Sequence, residues 1–448
     1  MNVTITPALL KGTITPPPSK SQAHRVLIAA ALAGGGTSVI HNLAPSQDIL
    51  ATRRCLTALG AQIDEAGPGA VRVRGLGGAI AEAGPAPVLD CGESGSTLRF
   101  LIPVALLVNG AASFTGHGRL MERPMKPYED LFRERGIAWR LEDGVLTVDG
   151  GRGRGRLALE PGEYRLPGNV SSQFFSGLLF ALPLLRGDSL LVSTTPLESV
   201  GYVNMTRQAM EAFGVETKWT KEGIFIPGSQ TYRPAERTVE ADWSQAAFWY
   251  AAAGTGSDVT VTGMDEGSIQ GDRVILDWGR MIRDEPMSGG AKGLIWGRAG
   301  SGPAAPPPQD GPRRHAVSID VSHAPDLVPP AAAWGALTPG CDLYLKNAAR
   351  LRMKESDRLS TVTEALTALG AEVIEEPDRL IIRGRETLPG GATVDSRNDH
   401  RIAMMAAVAA TRCERPVTVA GAECVAKSYP NFWEDYEKLG GRIVRREG

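Results

Sequence analysis

The chain has 448 residues, of which 42% are hydrophobic and 22% charged, and a formal net charge of −2. That length exceeds one ordinary core, so two to four domains of a globular protein are expected, and a near-neutral balance argues against a nucleic-acid binder that works by neutralising phosphates. Five scattered cysteines (Cys55, Cys91, Cys341, Cys413, Cys424) form no CxxC pair, which argues against a disulfide framework or a zinc site and for a reducing compartment.

The N-terminus carries no apolar signal core, and the apolar run FFSGLLFALPLL at 174–185 is too short to span a bilayer, so a cytoplasmic location is expected. At 16–35 the stretch PPPSKSQAHRVLIAAALAGG predicts an extended lead-in, a cap at Ser19 and an apolar helix with Lys20, Ser21 and Arg25 in its first turns. Cations there oppose the helix dipole unless an anion is bound; an unliganded surface N-terminus is the alternative.

Further along, CGESGSTLRFLIPVALL at 91–107 predicts a phosphate-cradling turn before a long apolar helix, with the N–H groups of Gly95 to Thr97 exposed. No GxxxxGK[ST] occurs, so a nucleotide P-loop is excluded. GHGRLMERPM at 116–125 places Arg119 and Arg123 in a loop, where solvation is the ordinary fate of arginine. In LPGNVSSQFFSGLLFALPLL at 166–185, Ser171, Ser172 and Gln173 open a buried helix, and N-capping needs one of them at most.

In the second half, VSHAPDLVPPAAAWGAL at 321–337 sets Asp326 ahead of a small-residue helix, as a cap or as a base. RLRMKESDRLS at 350–360 spaces Arg350, Lys354 and Arg358 four apart, which on a helix would stack three cations on one face, with Glu355 and Asp357 between them. A solvated helix face is the common explanation of such a pattern. DSRNDHRIAMMAAVAA at 395–410 puts His400 and Arg401 at another helix start, and CVAKSYPNFWEDY at 424–436 puts Lys427 in a turn before an aromatic helix.

A repeat organises these segments. LTALGAQIDEAGPGAVRVRGLG at 56–77 and LTALGAEVIEEPDRLIIRG at 366–384 are near copies, with looser ones at 132–150, at 210–228 and at the C-terminus. Each predicts a helix end, a glycine stop and strands around a turn. The stops Gly60, Gly136, Gly214, Gly370 and Gly440 recur roughly every 75 residues, except for one double interval that implies a degraded copy near 281. Six units of an α/β protein follow, in two halves of three. The Gly/Pro-rich stretch 284–315 is expected to be a surface insertion. Lys20, Arg25, Arg123, Lys354, Arg358, Arg401 and Lys427 cluster at helix N-termini, and such a field in a near-neutral chain suits a small, highly charged anion.

These motifs, from PPPSKSQAHR through RMKESDRL and NDHRIAM to AKSYPNFW, resemble the 5-enolpyruvylshikimate-3-phosphate synthase family over essentially the whole chain. The resemblance implies an inside-out α/β barrel in each of two domains, 1–19 with 241–448 and 20–240, each of three βαβαββ units, with the active-site cleft between them. It also implies transfer of the enolpyruvyl group of phosphoenolpyruvate to the 5-hydroxyl of shikimate-3-phosphate. No metal or organic cofactor, no nucleic acid and no membrane is expected to take part, and a monomer is expected. Lys20, Ser21, Arg25, Ser171, Ser172, Gln173, Ser199, Tyr202, Asp326 and Lys354 would hold shikimate-3-phosphate. Lys20, Gly95, Arg123, Gln173, Arg358, Arg401 and Lys427 would hold phosphoenolpyruvate, with Asp326 as base, Glu355 as proton donor to the methylene carbon and Lys20 in the catalytic set. Glu93 and Arg350 stand where the family often has Asn; Arg350 is expected either to replace that contact or to point to solvent. The sister transferase acting on UDP-N-acetylglucosamine is the nearest rival, but it has Lys-Asn where Lys20-Ser21 stand and uses a loop cysteine that GHGRLMERP lacks. An RNA-end phosphate cyclase would need a nucleotide-accepting histidine, for which His400 is a weak candidate. A non-enzymatic anion- or nucleic-acid-binding repeat protein would not need Asp326 and Glu355.

Overall fold

A computed structural model describes residues 1–77, 86–151, 158–285 and 314–447. The chain divides into two compact units, Met1–Pro17 with Ala241–Gly448 and Pro18–Glu240, each with its own hydrophobic core.

One motif builds both. In the Pro18–Glu240 unit, strand Val88–Asp90 leads to helix Gly95–Asn109, strand Ala111–Thr115, helix Lys126–Glu134 and the hairpin Ala138–Glu142, Val145–Asp149. The first two strands pair parallel, and the hairpin adds antiparallel with its second strand innermost. The same order recurs in Gly162–Leu166, Ser189–Ser193, Ile224–Ile226 and Lys218–Trp219. It recurs again in Glu236–Thr238, Thr37–His41, Val71–Arg74 and Gln62–Glu65, where the end of the unit supplies the first strand.

The other unit repeats the motif in His315–Asp320, Cys341–Lys346, Arg379–Arg383 and Glu372–Glu376. In its next sheet the order is Thr393–Asp395, Val417–Ala420, Asn2–Thr6 and Arg442–Arg446, so the N-terminal strand occupies an interior place. The sixth copy comprises the parallel pair Lys11–Ile14 and Asp258–Val261 with helices Trp243–Gly254 and Ile275–Ile282. Most of the 284–315 stretch, residues 286–313, lies outside the described residues.

The helix stops explain the repeat. Gly60, Gly136, Gly214, Gly370 and Gly440 have φ of 109°, 75°, 82°, 95° and 84°, a left-handed conformation that costs glycine little. In the degraded copy that place falls to Asp284, with φ 55°. The same two closing bonds form there, Asp284 N–H to the Met281 carbonyl at 3.2 Å and Glu285 N–H to the Arg280 carbonyl at 2.9 Å. Hydrogen bonding thus preserves the turn where the glycine has been lost.

Both units are inside-out. Every residue of helices Val328–Ala336 and His400–Ala410 is buried, and these two pack on each other and on Trp243–Gly254. A helix apolar on all sides must be surrounded, and the sheets provide the cover with alternating strands such as Val71–Arg74. Among the described residues the sheets stay separate and do not hydrogen-bond into a closed barrel of strands. In the Pro18–Glu240 unit, helices Gly95–Asn109 and Ser172–Ala181 approach closely at Gly177, where a Cβ would collide with the Arg99 carbonyl and the Tyr128 hydroxyl. That approach brings the two helix starts together.

Candidate active site

In the Pro18–Glu240 unit the polar residues gather at helix N-termini. Ser19 caps helix Lys20–Leu32 by accepting from Gln22 N–H, and Lys20 Nζ meets Asp48 Oδ2 at 2.8 Å. Arg25 is buried beneath it: Nε donates to Thr206 Oγ1 at 2.8 Å, and its two terminal nitrogens donate to the carbonyls of Ser21 and Tyr202. Burial lowers its pKa to about 10, against the raising influence of Tyr202. Tyr202 opens helix Val200–Glu211 behind Ser199, which stands in the left-handed region at φ 53°.

The CGESGS turn departs from the sequence reading in one respect. Ser94 caps helix Gly95–Asn109 by accepting from Thr97 N–H at 3.2 Å, so Thr97 is not a free donor and the turn offers Gly95 and Ser96. The backbone of Gly95 faces two guanidinium groups. A Cβ there would stand 2.8 Å from Arg123 Nη1 and 3.4 Å from Arg99 Nη1. Arg99 Nη1 also donates to Gln173 Oε1 at 2.7 Å, and Gln173 Nε2 donates to Ser96 Oγ at 2.9 Å. Ser171 caps the Gln173 helix and Ser172 is buried beside it. A helix N-terminus flanked by two arginines and an amide is suited to an anion. Glu93 lies against Gly118, where a Cβ would come 2.8 Å from Oε2, so this carboxylate packs on the loop that carries Arg119 and Arg123. Arg119 itself pairs with Glu122 at the surface.

In the other unit, RLRMKESDRLS is not one helix. Residues Ala349–Met353 form a 3-10 turn, Lys354 is extended at φ −88° and ψ −160°, and Asp357 caps a new helix, Arg358–Ala368. Arg350, Lys354 and Arg358 therefore share no helical face, because the Asp357 side chain accepts from Ser360 N–H and starts the helix afresh. Arg350 turns away and donates to the Ser322 carbonyl, on the segment leading to Asp326.

Asp326 is where the cations meet. Its Oδ1 accepts from Lys354 Nζ at 3.3 Å and from Arg358 Nη1 at 2.8 Å, and its Oδ2 from Arg401 Nη2 at 3.0 Å. Burial pushes the Asp326 carboxyl up, but Arg401, Lys354 and Arg358 outweigh it and hold the group well below the usual range. Burial lowers the Lys354 pKa, with Asp326 opposing. Arg358, 1% exposed, also reaches Glu355 Oε2 at 2.7 Å and Asp399 Oδ2 at 2.7 Å. Burial lowers its pKa, and Asp399, Glu355 and Asp326 together raise it beyond the ordinary value. Asp399 also caps helix His400–Ala410 through Arg401 N–H, leaving His400 buried next to it. Lys427 is buried, with Nζ 2.6 Å from the Asn398 carbonyl. The cations that the sequence sets near helix starts are thus paired with carboxylates in this unit: Lys354, Arg358 and Arg401 face Asp326, Glu355 and Asp399.

Sequence reasoning passed over Arg99, Asp399, Asp48 and Thr206. Arg99 had a usable signal, a single charge in the otherwise apolar LRFLIPVALL, since a cation in a buried helix needs a partner. Asp399 had one as well, an Asp at the cap position ahead of HRIAMMAAVAA, whereas Asp48 and Thr206 are recognisable only through contacts distant in sequence.

A family model described as EPSP synthase (3-phosphoshikimate 1-carboxyvinyltransferase) matches residues 5–436. The chain is 43% identical over 444 residues to the 3-phosphoshikimate 1-carboxyvinyltransferase of Clostridium kluyveri, covering 98% of each chain. It is 42% identical over 446 residues to that of Clostridium acetobutylicum, again covering 98% of each. Among solved structures, EPSP synthase from Acinetobacter baumannii superposes with a TM-score of 0.75 at 25% identity over 100% of both chains. The enolpyruvyl transferase NikO from Streptomyces tendae shares the fold, with a TM-score of 0.70 at 19% identity, over 99% of this chain and 98% of that one. With the repeats, the Gly95 turn and the Asp326 cluster in place, the chain belongs to the EPSP synthase family.

Proposed function

We infer that this chain transfers the carboxyvinyl group of phosphoenolpyruvate to the 5-hydroxyl of shikimate-3-phosphate and releases inorganic phosphate, a step of aromatic amino-acid biosynthesis. The observation that carries the chemistry is an ionised carboxylate, Asp326, held among Arg401, Lys354 and Arg358, with Glu355 on the same arginine.

Asp326 takes the proton of the 5-hydroxyl as its oxygen bonds to C2 of phosphoenolpyruvate, and Glu355 delivers a proton to the methylene carbon. The tetrahedral adduct then loses phosphate as the new methyl group returns a proton to Glu355, which restores the double bond. Lys20, Gly95, Arg123, Gln173, Arg358, Arg401 and Lys427 hold phosphoenolpyruvate. Lys20, Ser21, Arg25, Ser171, Ser172, Gln173, Ser199, Tyr202, Asp326 and Lys354 hold shikimate-3-phosphate. Fixed cations stabilise the charge that develops on the departing phosphate. Arg99 joins the phosphoenolpyruvate group because it donates to Gln173 and faces the Gly95 turn beside Arg123. The protein works as a cytoplasmic monomer on these small molecules, and among the described residues no helix is long and apolar enough to cross a membrane.

The test is phosphate release from phosphoenolpyruvate with either shikimate-3-phosphate or UDP-N-acetylglucosamine as acceptor. Release with shikimate-3-phosphate alone is expected; release with the sugar nucleotide, or with neither, overturns the reading. Asp326→Asn and Glu355→Gln should each lower kcat by about 10²–10⁴ while shikimate-3-phosphate still binds. Turnover near wild type in either removes that residue from its role.

A further inference from the structure

Four buried side chains lead away from the Gly95 turn, and no step above uses them. His24 Nδ1 lies 2.7 Å from Thr52 Oγ1, Thr52 Oγ1 lies 2.6 Å from Thr97 Oγ1, and Thr97 Oγ1 donates to Ser94 Oγ at 2.8 Å. All four residues are 0% exposed. They join helices Lys20–Leu32, Gln47–Ala58 and Gly95–Asn109.

Each hydroxyl has one hydrogen to give, which fixes the direction. Thr97 gives its hydrogen to Ser94, so it accepts from Thr52, and Thr52 in turn accepts from the His24 Nδ1–H. The imidazole therefore carries a proton on Nδ1. Its surroundings keep the ring neutral, because burial, then Lys20 and Arg25, hold its pKa well below the ordinary value. The relay also has a parallel rung. Lys20 and His24 stand one turn apart on the first helix, and their partners Asp48 and Thr52 stand one turn apart on the second. The second rung continues to the cap of the third helix.

We propose that His24, Thr52 and Thr97 are positioning residues for phosphoenolpyruvate: their relay locks Ser94, and through it the Gly95 and Ser96 N–H groups, in register with Lys20 and with Arg99 and Arg123. The inference rests on the reaction proposed above. Donors aimed before the anion arrives need no reorganisation when it binds, and a cap free to rotate would lose that aim.

The test compares Thr52→Val, which keeps the shape, with His24→Leu and with His24→Asn, which returns an N–H donor near the Nδ1 position. Steady-state constants for both substrates and thermal midpoints are measured on the full chain. Thr52→Val and His24→Leu should each raise KM for phosphoenolpyruvate roughly tenfold, while KM for shikimate-3-phosphate stays within about twofold. The double variant should be no worse than Thr52→Val, and His24→Asn should recover most of the loss. An unchanged KM for phosphoenolpyruvate in Thr52→Val, or equal rises for both substrates that track a lowered midpoint, overturns the proposal. Absence of turnover in the wild type would instead overturn the reaction. Inorganic phosphate titrated calorimetrically into wild type and Thr52→Val then decides the relay: weaker binding in the variant supports it, and equal binding sinks it.

Discussion

Asp399 has no exposed surface, yet it accepts from Arg358 Nε and Nη2, from Ser356 Oγ and from Arg401 N–H. It aims the Arg358 guanidinium and caps the helix that carries Arg401, without being assigned to a substrate itself. Asp399→Ala would leave Arg358 buried with less than its full complement of charge, a loss of about 3–5 kcal/mol. A fall in thermal midpoint together with a raised KM for phosphoenolpyruvate is expected; a midpoint within a degree of wild type would refute it. Asp272 makes the opposite kind of prediction. It is buried under Ser244, and burial, followed by the nearby Asp326, pushes its pKa up to about 6, against Ser244 and Arg401 and with Asp242. The folded state then holds a proton that the unfolded state releases near pH 4, so this group's contribution to stability falls as pH rises from about 4 to 6. Asp272→Asn removes that term. Its midpoint should exceed that of wild type above pH 6, by up to about 3 kcal/mol in stability, and the difference should close toward pH 4. A difference that does not change with pH would contradict the assignment.

The helix stops carry a prediction at the scale of elements. Asp284 takes the left-handed place that glycine holds in the five other copies, so Asp284→Gly should stabilise the chain by about 1 kcal/mol. Gly370→Ala should cost more than that gain, since its Cβ would also meet Pro389 Cδ at 2.5 Å. Chemical denaturation of the two variants checks both signs. The stops were legible in sequence because a left-handed residue leaves a local mark, and so was the capping Ser19. RLRMKESDRLS misled because four-residue spacing assumes an unbroken helix, and the extended Lys354 and the Asp357 cap break it. Charge pairing was less legible still. Asp326 meets Lys354 from 28 residues away and Arg401 from 75, separations over which local patterning is silent.

At the scale of the molecule, the two units differ in how they use the chain. Every sheet of Pro18–Glu240 is built from its own residues. The other unit needs Asn2–Thr6 inside a sheet, paired on one side with Val417–Ala420 and on the other with Arg442–Arg446. Residues 18–240 produced alone should therefore unfold cooperatively, whereas 241–448 should not until a peptide of residues 1–17 is added. Circular dichroism with and without the peptide decides this, and a cooperative transition in 241–448 alone would refute it.

That interior strand also sets a timetable. Its first pairing partner is some 400 residues downstream, which at about 5–20 residues per second is roughly 20–80 s of synthesis. During that interval the middle of the chain has time to fold on the ribosome, while a β-prone N-terminal segment waits with both edges open. The unit that holds this strand thus closes last, and a chain stalled before Val417–Ala420 would leave Asn2–Thr6 with an unsatisfied edge for proteases and chaperones to find.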